Sequence, residues 1–151
     1  MMSIFSGVNA SASALTAQRL RMDVVSSNLA NMDTTRAKQV DGNWEPYRRK
    51  LVTLQPSGES FSSILNSSMN SSGKLGNGVK ATKITEDETP FNLQYDPTNP
   101  DANENGYVQT PNVDPLKEMV DLISSSRSYE ANVTALNANK SMLMKALEIG
   151  K

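Results

Sequence analysis

The stretch "DPLKEMVDLISSSRSYEANVTALNANKSMLMKALEIG" (Asp114–Gly150) predicts one long helix that closes the chain. Asp114 can cap the free amides of the first turn, and Pro115 stands where a missing N–H has no consequence. Gly150 marks the end of the helix. Apolar residues recur every seven positions along this stretch, as in a coiled coil. They fall at two core positions, the first with Leu122, Tyr129, Leu136 and Leu143 and the second with Met119, Val133 and Leu147.

A second heptad pattern begins the chain and predicts a helix over about residues 3–32. Its core positions hold Val8, Leu15, Met22 and Leu29, with Val25 and Met32 at the companion position. A helix of that length would span about 45 Å, which is more than a small globular core can cover. Each apolar seam therefore needs the other helix as a partner. Ser126 and Lys140 occupy core positions and argue against a free-standing two-stranded zipper.

The outward faces of both helices carry few charges. Within residues 3–32 the charged residues are Arg19, Arg21 and Asp23, and the last helix has Ser, Asn and Thr over its middle. Helices that face water usually carry Lys and Glu pairs on the exposed side. The composition predicts helices surrounded by other helices, with a Ser-rich solvent face as the alternative.

Residues 36–113 change in character and predict a small β-rich insert. Strands are predicted in "NWEPYRRKLVTLQ" (43–55), "VKATKI" (79–84) and "GYVQT" (106–110). Pro46 indicates that the first strand lies at an edge or begins after it. Between the first two strands, residues 56–78 are so rich in Ser, Asn and Gly that we expect a flexible loop.

The composition excludes several classes of function. Only 37% of the 151 residues are hydrophobic and 5% aromatic, so some apolar surface must be buried outside a single compact core. A net charge of -1 disfavours nucleic acid as a partner. The chain has no Cys and no His, which removes the commonest nucleophiles, general bases and zinc ligands, so we expect no enzyme.

No window reaches the length and apolarity of a membrane span, so no direct membrane insertion is predicted. The first residues lack the basic and apolar regions of a cleaved signal peptide. If the protein leaves the cytoplasm, we expect another export route.

Three short motifs are candidate sites, and each has a simpler structural explanation. "DANENG" (101–106) resembles the opening of a calcium loop, but position twelve is Asn112 instead of Glu, so Asx turns are favoured and no metal is predicted. The carboxylates of "TEDET" (85–89) have no apolar surroundings that would separate their pKa values. "YRRK" (47–50) is explained as a surface strand. No cofactor is predicted, because packing accounts for the Met residues.

The stretch "SSNLANMDTT" (26–35) lies where the first helix must end. Asn28 and Asn31 can satisfy backbone groups there, and Thr34 and Thr35 lead into an extended segment. We interpret the stretch as a joint; an ordinary frayed helix end is the alternative.

Two segments resemble flagellar axial proteins. The run "LTAQRLRMDVVSSNLANMDTT" resembles their N-terminal signature, and the chain from "YDPTNPDANENGYVQTPNVDP" to its end resembles the tail of the rod proteins; "PYRRK" fits as well. The motif residues are Asn28, Leu29, Ala30, Asn31, Thr34 and Thr35. Relatives usually continue with "TPGY", where Asp33 and the two threonines stand here.

The resemblance implies a structural subunit of the basal-body rod. It implies a mainly α fold in which the terminal helices (1–35 and 114–151) pair as an antiparallel coiled coil beside the β-rich insert (36–113). It further implies export through the flagellar type III apparatus without cleavage, helix ends that are disordered before assembly, and helical packing with other rod proteins and copies of itself around the export channel. The residues predicted to carry this packing are Val8, Leu15, Met22, Leu29, Leu122, Tyr129, Val133, Leu136, Leu143 and Leu147.

A different class of protein remains open at this point. A β-rich binding module could be carried on a helical stalk that serves only for dimerisation. That hypothesis predicts that the chain without residues 3–32 still folds and binds, whereas a rod subunit would fail to assemble.

Overall fold

The computed structural model describes residues 5–40, 42–57 and 78–149 of the chain. Two long helices enclose a segment of short antiparallel strands in this part of the chain, as the sequence predicts. The elements in chain order are α1 (Ser6–Ala30), β1 (Lys38–Val40), β2 (Asn43–Glu45), β3 (Lys50–Pro56), β4 (Val79–Glu86), β5 (Asn92–Tyr95), β6 (Tyr107–Thr110) and α2 (Pro115–Ile149).

The predicted start of α2 is confirmed. The Asp114 carboxylate accepts hydrogen bonds from the backbone amides of Leu116 at 2.9 Å and Lys117 at 3.4 Å, and Pro115 is the first helical residue. These are the amides that a helix leaves without an internal partner. The predicted terminator Gly150 lies outside the described residues.

Helix α1 ends at Ala30, slightly before the predicted residue 32. Its end is set by Asn31, whose backbone amide reaches the carbonyl oxygens of Ser27 and Asn28, each at 3.2 Å. The Asn31 side-chain amide donates a further hydrogen bond to the Ser27 carbonyl at 2.8 Å. Because these carbonyls are satisfied locally, the chain can leave the helix here. The predicted first residues of the helix, 3 and 4, lie outside the described residues.

The two helices run antiparallel along each other. Asn28 near the end of α1 donates to Glu118 near the start of α2, and Gly7 at the start of α1 lies so close to Asn139 that an added Cβ would sit 3.1 Å from its amide nitrogen. The deeply buried helix residues are mostly small or polar: Ser11, Ala17, Val24, Val25, Asn28, Glu118 and Ser125. Small side chains allow the two backbones to approach closely.

In its described residues, the insert forms three separate two-stranded antiparallel ribbons, β1–β2, β3–β4 and β5–β6. The stretch predicted as a strand over residues 43–55 is divided, because Pro46–Arg49 interrupts it; β3 begins after Pro46, which is one of the two alternatives that Pro46 indicated. Pro46 has no N–H to donate to a ladder. Strands β4 and β6 are found near their predicted places, while β1 and β5 were not predicted.

The β3–β4 ribbon lies lengthwise on α1. Lys50 at one end bonds to Asn28, and the Val79 amide at the other end donates to the Ser13 hydroxyl at 3.0 Å. The fifteen helical steps between Ser13 and Asn28 cover about 22 Å. The ribbon covers a similar length of about 20 Å. Its far end is closed by a hydrogen bond of 2.8 Å from the Ser57 amide to the Gly78 carbonyl. The loop predicted over residues 56–78 otherwise falls outside the described residues.

The apolar core formed by residues 5–40, 42–57 and 78–149 is small, in agreement with the composition. Its buried hydrophobic members are Ala17, Val24, Val25, Tyr47, Val108 and Val113. No helix in the described ranges combines the length and the apolarity that crossing a membrane requires.

Candidate functional site

Four parts of the chain meet at one polar cluster, which we call the junction. It consists of Asn28 at the end of α1, Tyr47 and Arg49 before β3, Lys50 at the start of β3, and Glu118 in the first turn of α2. The junction is one of the places where the motif stretch of residues 26–35 contacts the rest of the fold.

Asn28 is the centre of the junction, and only 1% of it is exposed. Its side-chain amide donates to the Lys50 carbonyl at 2.9 Å and to the Glu118 carboxylate at 3.0 Å. Its side-chain oxygen accepts from the Lys50 amide at 2.9 Å and the Tyr47 hydroxyl at 3.0 Å. The Asn28 side chain thus both donates to and accepts from the backbone of Lys50, as a residue of a neighbouring strand would.

Arg49 and Glu118 form a buried ion pair beside Asn28. The Arg49 Nε donates to a Glu118 oxygen at 2.6 Å, and Glu118 is 0% exposed. The guanidinium also lies 3.4 Å from Asp121 and 3.6 Å from Asp87. A buried pair of this kind is tolerated when hydrogen bonds satisfy both partners, and Asn28 supplies the second bond to Glu118.

Asn112 extends the junction toward the turn after β4. Its side-chain oxygen accepts from the Arg49 amide at 2.8 Å, and its side-chain nitrogen donates to the Thr89 hydroxyl at 2.8 Å. The Thr89 backbone amide donates to Asp87 and lowers the pKa of the Asp87 carboxyl. The Thr89 hydroxyl and Arg49 lower this pKa further, against the effect of partial burial.

A second link joins the end of the motif to the loop before β6. The Thr35 hydroxyl donates to the Asp101 carboxylate at 2.8 Å, and Arg36 Nε donates to the same carboxylate at 2.6 Å. Arg36, followed by Thr35, lowers the pKa of Asp101 below its usual value.

This link removes the first ligand of the hypothetical calcium loop. Asn103 is also engaged, since its side-chain oxygen accepts from the amides of Asn105 and Tyr107. The favoured Asx turns are present, one of them formed by Asn103 with Asn105. In the described ranges, no three Asp or Glu side chains are grouped as a metal site.

The other motif residues surround the end of α1. Asn31 contacts the Ser27 carbonyl, and the Thr34 hydroxyl donates to the Asn31 side-chain oxygen at 3.3 Å. Leu29 is half-buried and Ala30 is exposed. The structure therefore brings Asn28, Asn31 and Thr34 together at the helix end, whereas Thr35 turns toward Asp101.

The interpretation of "YRRK" as a surface strand is wrong. Tyr47 and Arg49 are buried, and both precede β3. The physical reason is that Glu118 and Asn28, distant in sequence, supply the partners that these polar groups need. The sequence signal available was a tyrosine and an arginine two positions apart, which places them on one face of an extended segment.

The residues predicted to carry packing lie at the flanks of the helix contact. Nine are half-buried within the single chain: Val8, Leu15, Met22, Leu29, Leu122, Tyr129, Val133, Leu136 and Leu143. Leu147 is 75% exposed. The buried residues of α2 are Glu118 and Ser125, which lie seven positions apart. Each lies one residue before the predicted core position that contains Met119, Val133 and Leu147.

Helix α2 leaves large apolar side chains uncovered at both ends. The first group is Leu116, Met119, Val120 and Ile123. The second group is Met142, Met144, Leu147 and Ile149. Contiguous exposed apolar groups of this kind mark interaction surfaces.

Comparison with known proteins identifies the family. Residues 9–38 match the family described as "Flagella basal body rod protein", and residues 104–149 match "Flagellar basal body rod FlgEFG protein C-terminal". The flagellar basal-body rod protein FlgC of Bacillus subtilis (strain 168) is 77% identical over 150 residues, covering 99% of this chain and 100% of the relative. The chain belongs to the FlgC family of flagellar basal-body rod proteins.

More distant FlgC proteins match at similar coverage. The FlgC of Borreliella burgdorferi is 42% identical over 98% of both chains. The FlgC of Salmonella typhimurium is 42% identical over 92% of both chains. The predictions of a flagellar rod protein, of a structural protein and of a protein that is not an enzyme are confirmed by this membership.

The two regions that match the family models contain the two helix residues of the junction. Asn28 lies in the first matched region and Glu118 in the second. Arg49, which bonds to Glu118, lies between the two regions. The junction is therefore where the matched termini meet the insert.

Proposed function

We propose that this chain is a rod subunit whose terminal helices pair as an antiparallel coiled coil and pack with neighbouring subunits into a drive shaft around the export channel. The observation that carries the proposal is the uncovered apolar end of α2. Met142, Met144, Leu147 and Ile149 are 62%, 55%, 75% and 85% exposed.

These side chains do not form a single stripe. At 100° per residue, Met142 and Ile149 lie on one side of the helix and Met144 and Leu147 lie on the other. Apolar side chains on opposite sides of one helix cannot all be covered by a single partner helix. Since α1 can cover one side at most, the remaining sides favour contacts with other subunits.

The start of α2 supports a second contact with a neighbour. Leu116, Met119, Val120 and Ile123 follow the i, i+3, i+4, i+7 spacing of one helix face, and this face is exposed. Apolar surfaces at both ends of one subunit suit head-to-tail contacts that do not close on themselves and so build an open helical stack.

These contacts give the terminal helices and the insert different roles in the rod. Residues 1–35 and 114–151 form the coiled-coil core of the shaft, and residues 36–113 form an outer insert. The half-buried seam residues, such as Leu15, Leu136 and Leu143, pack against the partner helix on one side and against neighbours on the other. Many helices packed side by side resist twisting better than one pair does.

The small and polar helix contact supports export in an unfolded form. Ala17 and Ser125 bury little apolar area, and the buried Ser125 hydroxyl has no hydrogen-bond partner among the described residues. Such a pair can separate for passage through the type III apparatus without cleavage. Its ends would become ordered when other rod proteins and further copies of this chain cover them.

The stalk-borne binding module is less consistent with these contacts. The β3–β4 ribbon bonds to α1 through Ser13 and Asn28, so the insert does not stand apart from the helix. Removal of residues 3–32 would therefore expose the ribbon as well as prevent assembly.

The test is a double substitution at the uncovered end, Leu147→Ser with Ile149→Ser. We expect motility and incorporation into isolated basal bodies to be lost, while the secreted or purified protein keeps its unfolding free energy within about 0.5 kcal/mol. The matched control is Glu148→Ser between them, which should leave motility unchanged. Swimming cells with complete rods in the double variant would refute the proposal.

A further inference from the structure

We propose that the junction is a closure latch, so that the end of α1, the β3–β4 ribbon and the start of α2 become ordered in one cooperative step within a single chain. This property goes beyond the proposed function, because it concerns the free subunit and needs no neighbour.

The first argument is that three junction residues, Asn28, Arg49 and Glu118, each bond to more than one other part of the chain. Asn28 of α1 bonds to Lys50 of β3 and to Glu118 of α2. Arg49 bonds to Glu118 and, through its backbone amide, to Asn112. Detachment of any one element therefore leaves unsatisfied groups on two others.

The second argument is burial. Glu118 is 0% exposed, and the Arg49 side chain is 11% exposed. If the ribbon left, Glu118 would lose its cation while still lying against Asn28 and the rest of α1. If α2 left, the guanidinium would lose its nearest carboxylate. A buried charge without its partner is strongly unfavourable, so partly closed states are rare.

The third argument is the contrast with the rest of α2. Beyond Ser125, the side-chain hydrogen bonds of the described helix are local, such as Asn132 to the Ser128 carbonyl and Thr134 to the Glu130 carbonyl. Bonds within one helix do not hold two elements together. Order in the free chain is therefore concentrated at the junction and decreases toward the far ends of the helices.

Native-state hydrogen exchange of the full-length free protein tests the latch. The amides of Lys50, bonded to Asn28, and of Asp87, bonded to the Arg49 carbonyl, report on two sides of the junction. We expect both to be protected and to exchange through the same opening. Glu118→Gln should accelerate exchange at both by the same factor, about a hundredfold. The control Glu148→Gln, in an exposed pair with Lys145, should change neither.

A second variant covers the case in which Glu118→Gln does not fold. Asp121→Asn removes an outer partner of Arg49 and should accelerate both amides equally, by less than about tenfold. Absence of protection at Lys50 and Asp87 in the unsubstituted chain, or unequal factors at the two amides, would overturn the latch. Because this measurement uses the free subunit, its failure is separate from a failure of the rod proposal, which is measured by assembly.

Discussion

At the scale of single residues, Asn28 determines how the terminal helix meets the rest of the fold. A helix end usually needs side chains only to satisfy its own last carbonyls, and Asn31 does this. The Asn28 side-chain amide instead forms hydrogen bonds to other elements, namely to Lys50 of β3 and to Glu118 of α2. The sequence indicated a joint at this place. It could not indicate the partners, because Lys50 and Glu118 are distant along the chain.

We predict that Asn28→Ala destabilises the folded protein by about 3 kcal/mol, because Lys50, Tyr47 and Glu118 each lose a hydrogen-bond partner. Urea unfolding followed by circular dichroism measures the change. Asn137→Ala, at an exposed position of α2, should change the unfolding free energy by less than about 0.5 kcal/mol. Equal effects of the two substitutions would contradict the role given to Asn28.

Acid should weaken the fold through Asp87 and Asp101. The pKa of each carboxyl is lowered from 3.8, mainly by the Thr89 amide for Asp87 and by Arg36 for Asp101. A lowered folded pKa means that the stabilisation is complete above the unfolded pKa and is lost as the pH falls through the folded value. Urea unfolding between pH 7 and pH 2 should show a decline that begins near pH 4. Asp87→Asn together with Asp101→Asn should flatten this decline; an unchanged profile would assign it to other groups.

At the scale of elements, the helices and strands β4 and β6 were predictable, whereas β1 and β5 and the pairing of the strands were not. The heptad pattern and the Asp114–Pro115 start define α2 nearly to the residue, because both signals are local. Strands β1 and β5 have three and four residues, too few for an alternation to be recognised. Their pairing depends on partners across turns. The buried face of α2 was also beyond prediction, since Glu118 and Ser125 are polar residues that a search for apolar periodicity ignores.

The close contact between the β3–β4 ribbon and α1 gives a prediction for Gly78. Its φ of 109° is left-handed, and an added Cβ would lie 2.2 Å from the Ser13 hydroxyl oxygen. Gly78→Ala should therefore cost about 3 kcal/mol in unfolding free energy, from backbone strain and from displacement of the ribbon. Gly42 also has a left-handed φ, but a Cβ there has nothing within 4 Å.

Gly42→Ala is therefore the matched control and should cost only the strain, about 1 kcal/mol. Thermal or urea unfolding of the two variants side by side makes the comparison. If both lose the same stability, the ribbon does not press on α1 at Ser13.

At the scale of the whole molecule, the subunit has too little internal core for the helices it carries. Helices α1 and α2 have 25 and 35 residues, while the buried apolar residues in the described part of the chain are few and mostly small. Composition alone predicted this shortage, since apolar content is a sum over residues. Which surfaces remain uncovered depends on how far α2 continues beyond the point where it lies against Gly7 of α1. The sequence does not indicate this length.

Far-UV circular dichroism of the purified free protein should show less helix than these two elements contain. The junction keeps the adjoining turns helical, while the outer turns of α2, such as those around Leu147, fray without neighbours. Helicity should rise on co-assembly with other rod proteins. A free chain with full helicity and one sharp melting transition would contradict the expectation that the ends become ordered in the rod.

The hydrogen bond between Ser57 and Gly78 has a practical consequence. It ties the two strands of the β3–β4 ribbon together where the chain leaves β3 and re-enters at β4, so the two ends of this connection are held next to each other. Loop closure entropy grows only slowly with length, by about 0.6 kcal/mol for each doubling. We therefore expect an epitope tag or a fluorophore-labelling sequence inserted between these two residues to cost little unfolding free energy and to report the subunit's place in the living motor.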